Sequence, residues 1–244
     1  MKIIAVIPAR YASTRFPGKP LVKLKDKPLI QWVVEGAKSA KLVQEIYVAT
    51  DDQRIADVVK ACGGNVLMTR SECPTGTDRI FEATKDLQFD VVLNIQGDEP
   101  QITAEYIDLL AKAFLDQPGL DMATLAHPIA LEDIENPNAV KVIKNANNEA
   151  IYFSRFAIPY SREKVGAQPV CEKHIGLYGY TKTFLNKFCN SEQSAIEKAE
   201  SLEQLRALHL GAKIKVLSVK KPIQGVDTPE DLAKLETLLA KPKS

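Results

Sequence analysis

Three cations stand close together near the start of the chain: Arg10, Arg15 and Lys19, within residues 7–21, IPARYASTRFPGKPL. Small or turn-forming residues (Ala12, Ser13, Pro17, Gly18, Pro20) separate them, and no acidic residue lies among them. A guanidinium grips phosphate oxygens as a planar fork and a lysine ammonium acts as a point charge, so a polyphosphate suits this set. The segment is neither a Walker lysine loop nor a GxGxxG fingerprint. A solvated basic loop is the other reading open here, because surface Arg and Lys are common.

Carboxylates supply the complementary chemistry. In Asn94-Ile95-Gln96-Gly97-Asp98-Glu99-Pro100, Asp98 follows the apolar run Val91-Val92-Leu93 and so sits just beyond a strand end. Gly97 lets the backbone approach closely there. Such a carboxylate suits Mg²⁺, a hard cation often shared with substrate phosphates, although Gly-Asp is also ordinary turn chemistry. Asp227 precedes Thr228-Pro229 and reads by itself as a helix-start residue. Between these, residues 69–79 offer backbone amides, small hydroxyls and a helix start that can bond the edge of a base. Gln96 has both amide donors and an acceptor for the same task. The alternative for this loop is a polar turn capping the next helix.

These groups need a scaffold, and the hydrophobic pattern supplies one. Residues 2–7 are almost continuously apolar, as in a strand buried on both faces. Helix-like and strand-like stretches then alternate. A helix is expected from Pro28 to about 40, a strand over 45–50, and a helix capped by Asp51 or Asp52 and stopped by Gly63-Gly64. A short strand at 65–68, a helix at 79–87, a strand at 90–95, a helix at 106–114 and a strand at 122–126 follow. This order predicts a three-layer, Rossmann-like α/β fold with a mainly parallel sheet. Residues 140–143, 150–154 and 175–180 read as strands of an inserted β arm, with a loop at 166–172. Helices at 183–188 and 201–210, a strand at 213–218 and a helix opening at Thr228-Pro229 complete a single expected domain, 1–244.

Composition excludes several classes. The 244 residues suffice for one sizeable core or at most two small domains, and a net charge of +1 gives no basic field for nucleic acid. No run approaches the roughly 20 apolar residues of a membrane span. The first residues are already strand-like, which predicts no signal peptide. Cys62, Cys73, Cys171 and Cys189 lack CxxC or zinc spacing, so free thiols in a reducing cytosol are expected.

The segment RYASTRFPGKPL resembles the N-terminal signature of sugar-nucleotide transferases, and in this form that of the CMP-Kdo synthetases (3-deoxy-manno-octulosonate cytidylyltransferases). VATDD (48–52), GTDRI (76–80), NIQGDEP (94–100), NPNAVKV (136–142), YFSR (152–155), HIGLYGY (174–180), ESLEQLR (200–206) and GVDTPEDL (225–232) follow in order over nearly the whole chain. The resemblance implies a nucleotide-diphospho-sugar transferase fold, a homodimer, and transfer of CMP from CTP to the acidic sugar Kdo for lipopolysaccharide assembly. It implies that Arg10, Arg15 and Lys19 face the triphosphate and that Asp98 and Asp227 hold Mg²⁺. It places Arg70, Gly76, Thr77 and Gln96 at cytidine, with sugar binding and dimerisation in about 130–210. Arg155, ending YFSR, suits a substrate carboxylate by bidentate pairing. His174 and Tyr178 share one face of a strand by period-two geometry. Glu203 and Gln204 offer donors and acceptors for sugar hydroxyls from a helix. Two rivals accompany this reading: a cytidylyltransferase for 8-amino-Kdo or a sialic acid, and a non-catalytic nucleotide-binding regulator.

Overall fold

A computed structural model of the chain describes residues 1–12, 16–160, 162, 169–223, 225–226 and 228–240. Arg15, Asp227 and residues 166–168 of the expected loop lie outside the described residues. The chain forms two compact units, Met1–Ala111 with Ile223–Ser244, and Lys112–Pro222.

The first unit opens with β1 (Ile3–Ala9), buried at nearly every position. A 3-10 turn (Lys19–Leu21) and the small hairpin of β2 (Lys23–Leu24) and β3 (Lys27–Pro28) lead into α1 (Leu29–Lys38). There follow β4 (Glu45–Thr50), α2 (Gln53–Ala61), β5 (Asn65–Met68), α3 (Gly76–Thr84), β6 (Val91–Asn94) and α4 (Ala104–Asp116). β1 pairs in parallel with β4 and with β6, and β4 with β5. Parallel strands joined by helical crossovers put the loops after β1, β4, β5 and β6 at one edge of the sheet, the usual ligand edge of such a sheet.

Local chemistry sets the helix starts. Asp52 caps α2 by accepting Arg54 N at 2.9 Å. α3 begins at Gly76, three residues before the expected start at 79. Thr75 closes its first turn: Oγ1 accepts Asp78 N at 3.1 Å and donates to the Asp78 carboxylate at 2.8 Å. GTDRI is therefore the first turn of a helix and not the loop before one.

The second unit contains β7 (Met122–Pro128), β8 (Lys141–Lys144), β9 (Ala150–Ser154), β10 (Glu172–Thr181), α5 (Lys182–Cys189), α6 (Ala195–Glu200), α7 (Gln204–His209) and β11 (Ile214–Ser218). β11 runs parallel to β7, and β10 antiparallel to it. The expected β arm is the β8–β9 hairpin, joined to β10 through β8. Two expectations need correction. β10 starts at Glu172, where a loop is expected to end, and the expected helix at 201–210 shortens to α7 behind an unexpected α6. A capping box of Ser194 and Glu197 starts α6, and Ser201, left-handed at φ 51°, ends it.

The chain returns to the first unit in α8 (Pro229–Ala240), with Thr228 and Asp231 bonding each other's backbone amides at 3.1 and 3.2 Å. Leu235 and Val226 pack with Leu24 and Leu29, flanked by Trp32. Each such buried side chain contributes about 1.5–3 kcal/mol. Among the described residues no helix is long and apolar enough to cross a membrane.

Candidate active site

Gly18 turns the loop after β1 back on itself. Its backbone is left-handed (φ 69°), its N donates to Tyr11 O at 3.0 Å, and an added Cβ would lie 3.1 Å from the Tyr11 ring. The 3-10 turn that follows directs Lys19 to Asp98, with Nζ 2.5 Å from Oδ2. These two line a cavity of about 220 Å³ with Arg10, Gly76, Gln96 and Gly97. Gly97 is required by close approach: a Cβ there would meet Pro8 O at 2.9 Å. Thr75 and Gly76 present the N-terminus of α3 to the same space, and helix-end amides favour an anion. Thr77, one residue further on, is buried in that first turn.

The docking of α8 reaches this cavity through the backbone. Val226, buried in the α8 core, donates its N–H to Asp98 O at 2.9 Å. The next residue is Asp227. A Mg²⁺ ion takes hard oxygen donors and commonly keeps most of its shell on phosphate and water. No group of three or more His, Cys, Asp or Glu is arranged for a metal among the described residues. Asp98, with a part-exposed carboxylate already paired to a cation, is a donor of the required kind, so the residues fit a phosphate-shared ion.

One cation of this region escapes the motif reading. Arg79 is 2 % exposed, lines the cavity, and donates to Thr69 Oγ1 and to Arg70 O, with Asp51 Oδ2 at 3.4 Å. It ties the ends of β4 and β5 to α3. Its place inside GTDRI was the available signal, obscured there by the helix pattern. Arg70 goes elsewhere: its guanidinium lies 2.8 Å from Glu82 and its N donates to the same carboxylate at 2.7 Å. Arg70 lines an adjoining pocket that shares Cys73 and Pro74 with the cavity, and these bonds draw the Glu82 pKa down to about 2. Cys73 lines the cavity, but burial and Glu82 beside it raise its pKa, keeping it a thiol.

The expected sugar-side residues form a second cluster, inside the second unit. The register between β10 and β7 jumps from Ile175↔Leu125 to Tyr178↔Thr124, so Gly176 and Leu177 form a bulge. In a regular strand, residues four apart are ~13 Å apart. Here the His174 and Tyr178 ring centroids are 5.4 Å apart, and Phe153 meets His174 edge-on at 5.0 Å. Period-two geometry predicts the shared face; the bulge produces the contact. Tyr178 OH donates to Gln204 Oε1 at 3.2 Å, and Gln204 is the first, buried residue of α7. Glu203 immediately precedes it.

Packing among these neighbours desolvates His174 and lowers its pKa to about 3, so the ring is neutral near pH 7. Arg155 is held by neutral acceptors: Nε donates to Glu200 O at 2.8 Å, Nη1 to Pro137 O at 3.0 Å and Nη2 to Ser201 O at 3.4 Å. Lys141, fully buried, donates to Arg155 O at 2.5 Å. The bonds from the guanidinium use only part of its five-donor capacity.

A sequence profile described as cytidylyltransferase matches residues 4–214, which sets the class as nucleotidyl-transferring enzymes. A 3-deoxy-manno-octulosonate cytidylyltransferase from Bdellovibrio bacteriovorus is 59% identical over 243 residues, covering 98% of both chains. One of that name from Escherichia coli is 42% identical over 239 residues, covering 98% of this chain and 96% of its own. A solved CMP:2-keto-3-deoxy-manno-octonic acid synthetase complexed with CTP superposes with a TM-score of 0.94 at 42% identity, covering 98% of this chain and 99% of that one. The chain belongs to the cytidylyltransferase family and, within it, to the 3-deoxy-manno-octulosonate cytidylyltransferases.

Proposed function

We propose that this enzyme transfers CMP from CTP to 3-deoxy-manno-octulosonate (Kdo), releasing pyrophosphate and supplying CMP-Kdo for lipopolysaccharide assembly. The observation that carries the reading is the cavity at the strand ends of the first unit. It brings Arg10, Lys19, Asp98 and the N-terminus of α3 to one space of about 220 Å³, within a chain 59% identical to a named Kdo cytidylyltransferase.

The anomeric oxygen of the sugar forms a bond to the α-phosphorus of CTP while the bond to the bridging oxygen of the β-phosphate breaks in line. Pyrophosphate leaves, and the hydroxyl proton passes to solvent. Arg10, Arg15 and Lys19 bind the triphosphate and hold the charge that gathers on the leaving pyrophosphate. Gln96 and the amides at Gly76 and Thr77 orient the nucleotide. Asp98 and Asp227 would hold Mg²⁺, which when bound neutralises phosphate charge and acidifies the attacking hydroxyl. Lys19 has a second task in the resting site, where its ammonium keeps the Asp98 carboxylate paired until a cation and phosphates arrive.

Arg155 attracts the sugar carboxylate, while His174, Tyr178, Glu203 and Gln204 sort its hydroxyls. The reading includes a homodimer, supported by the apolar side chains of Ile151 and Phe156 left exposed at and just after β9. It includes a cytosolic setting, supported by the free state of Cys62, Cys73, Cys171 and Cys189. A pyrophosphate-release assay crossing CTP, UTP, ATP and GTP with Kdo, 8-amino-Kdo and a sialic acid tests the reading. Turnover confined to CTP with Kdo supports it; a clear preference for another acid moves the substrate, and no turnover with any pair overturns the enzyme assignment.

A further inference from the structure

Thr124 lies on β7 opposite the bulge of β10, fully buried. Its hydroxyl has three polar neighbours: Leu177 O at 2.7 Å, His174 Nε2 at 3.0 Å and Ile175 O at 3.2 Å. A hydroxyl has one proton and two acceptor sites. Both carbonyls can only accept, so the proton belongs to them, and the 2.7 Å distance assigns it to Leu177 O. If it went instead to His174, two carbonyl oxygens would face hydroxyl lone pairs in a buried space without a proton between them. The oxygen of Thr124 must therefore accept, and the group that donates to it is His174 Nε2–H.

We infer that Thr124 is a positioning residue that holds His174 as the Nε2–H tautomer, so that Nδ1 is presented as a hydrogen-bond acceptor for a hydroxyl of the bound sugar acid. The same hydroxyl sits across the bulge, bonded to Leu177 O at 2.7 Å where the register of β10 against β7 shifts. Ring position and ring protonation are thus set by one side chain. Desolvation keeps the imidazole neutral, so this tautomer persists through the working pH range. Residue 174 as a whole is part-buried. A neutral acceptor at this point suits a hydroxyl and rejects a second carboxylate, whose lone pairs it would face. The identity of the ligand rests on the function proposed above; the tautomer does not.

The test pairs a spectroscopic readout with kinetics on the full chain. Nitrogen-15 NMR of the imidazole rings reports the tautomer directly, and the chain has only 3 histidines, so His127→Gln and His209→Gln assign the signals. The parent and Thr124→Ser should show His174 as Nε2–H, whereas Thr124→Val should lose that single tautomer. Thr124→Val should raise the KM for Kdo about tenfold, the worth of one hydrogen bond, with the KM for CTP unchanged, and Thr124→Ser should restore it. An Nδ1–H tautomer in the parent overturns the inference. So does a folded Thr124→Val enzyme with parental KM for Kdo. If Thr124→Val does not fold, the tautomer in the parent and in Thr124→Ser decides. A Thr124-dependent Nε2–H tautomer in an enzyme that ignores Kdo supports the positioning role and strikes the proposed substrate alone.

Discussion

In the first unit the chemistry-bearing side chains come from loops at the ends of β1, β4, β5 and β6, and most are charged. In the second they come from β10, from the start of α7 and, for Arg155, from just after β9, and the chain Thr124–His174–Tyr178–Gln204, two hydrogen bonds joined by a ring contact, is neutral. Three ion pairs stand among the charged groups of the first unit: Lys19 with Asp98, Arg79 with Asp51, Arg70 with Glu82. The neutral chain holds its shape through a bulge and ring packing. A site that handles phosphate needs strong fields that stay neutralised at rest. A strand that sorts hydroxyls needs fixed donors and acceptors, and the charge of Arg155 is held separately, on the backbone carbonyls of Glu200, Pro137 and Ser201.

The largest effect should come from the charged side. Asp98→Asn keeps the backbone bond to Val226 and removes the carboxylate, so it should fold normally and lose about 10²–10³-fold in kcat. Near-parental kcat with unchanged circular dichroism would remove Asp98 from the machinery. Arg79→Ala should cost about 3 kcal/mol in urea unfolding, because it leaves the Asp51 carboxylate without its buried cation. A loss under about 1 kcal/mol would show that the pair only decorates the strand ends.

On the neutral side the expected signature is pH dependence. His174 titrates at about 3 when folded, against an ordinary value of 6.5. Between those values the unfolded chain binds the proton and the folded chain does not, so stability falls as pH drops from about 6.5 toward 3 and is flat above. Urea midpoints at pH 7 and pH 5 should differ more in the parent than in His174→Gln; equal differences would contradict a desolvated ring. The smallest effect is expected for Arg70→Ala, which removes a largely exposed ion pair worth at most about 1 kcal/mol. A large rise in the KM for CTP would return Arg70 to the nucleotide.

The same contrast governs what the sequence reveals. β4, β5 and β9 match the expected spans because apolar and β-branched runs end there at polar or turn residues. The cation loop, Asp98 and Gly97 are legible because loops at strand ends announce themselves by Gly, Pro and charge. α3 starts early because Thr75 acts through a side-chain cap that a hydrophobic period does not register. α6 is too short to show a period, although Ser194 and Glu197 spell its capping box. The bulge is illegible in HIGLYGY, since it exists only against the register of β7, some fifty residues earlier in the chain. For the same reason Thr124, an ordinary strand threonine by type, gives no sign of its role.

Two-substrate steady-state kinetics of Lys19→Ala and Tyr178→Phe, measured side by side, tests the division between the two regions most directly. Lys19→Ala should depress kcat/KM for CTP and leave the KM for Kdo at the parental value. Tyr178→Phe, which breaks the bond to Gln204 and keeps the ring, should raise the KM for Kdo and leave that for CTP unchanged. If both substitutions shift both substrates alike, or if the pattern is reversed, the account of a charged nucleotide cavity and a neutral sugar-sorting strand is wrong.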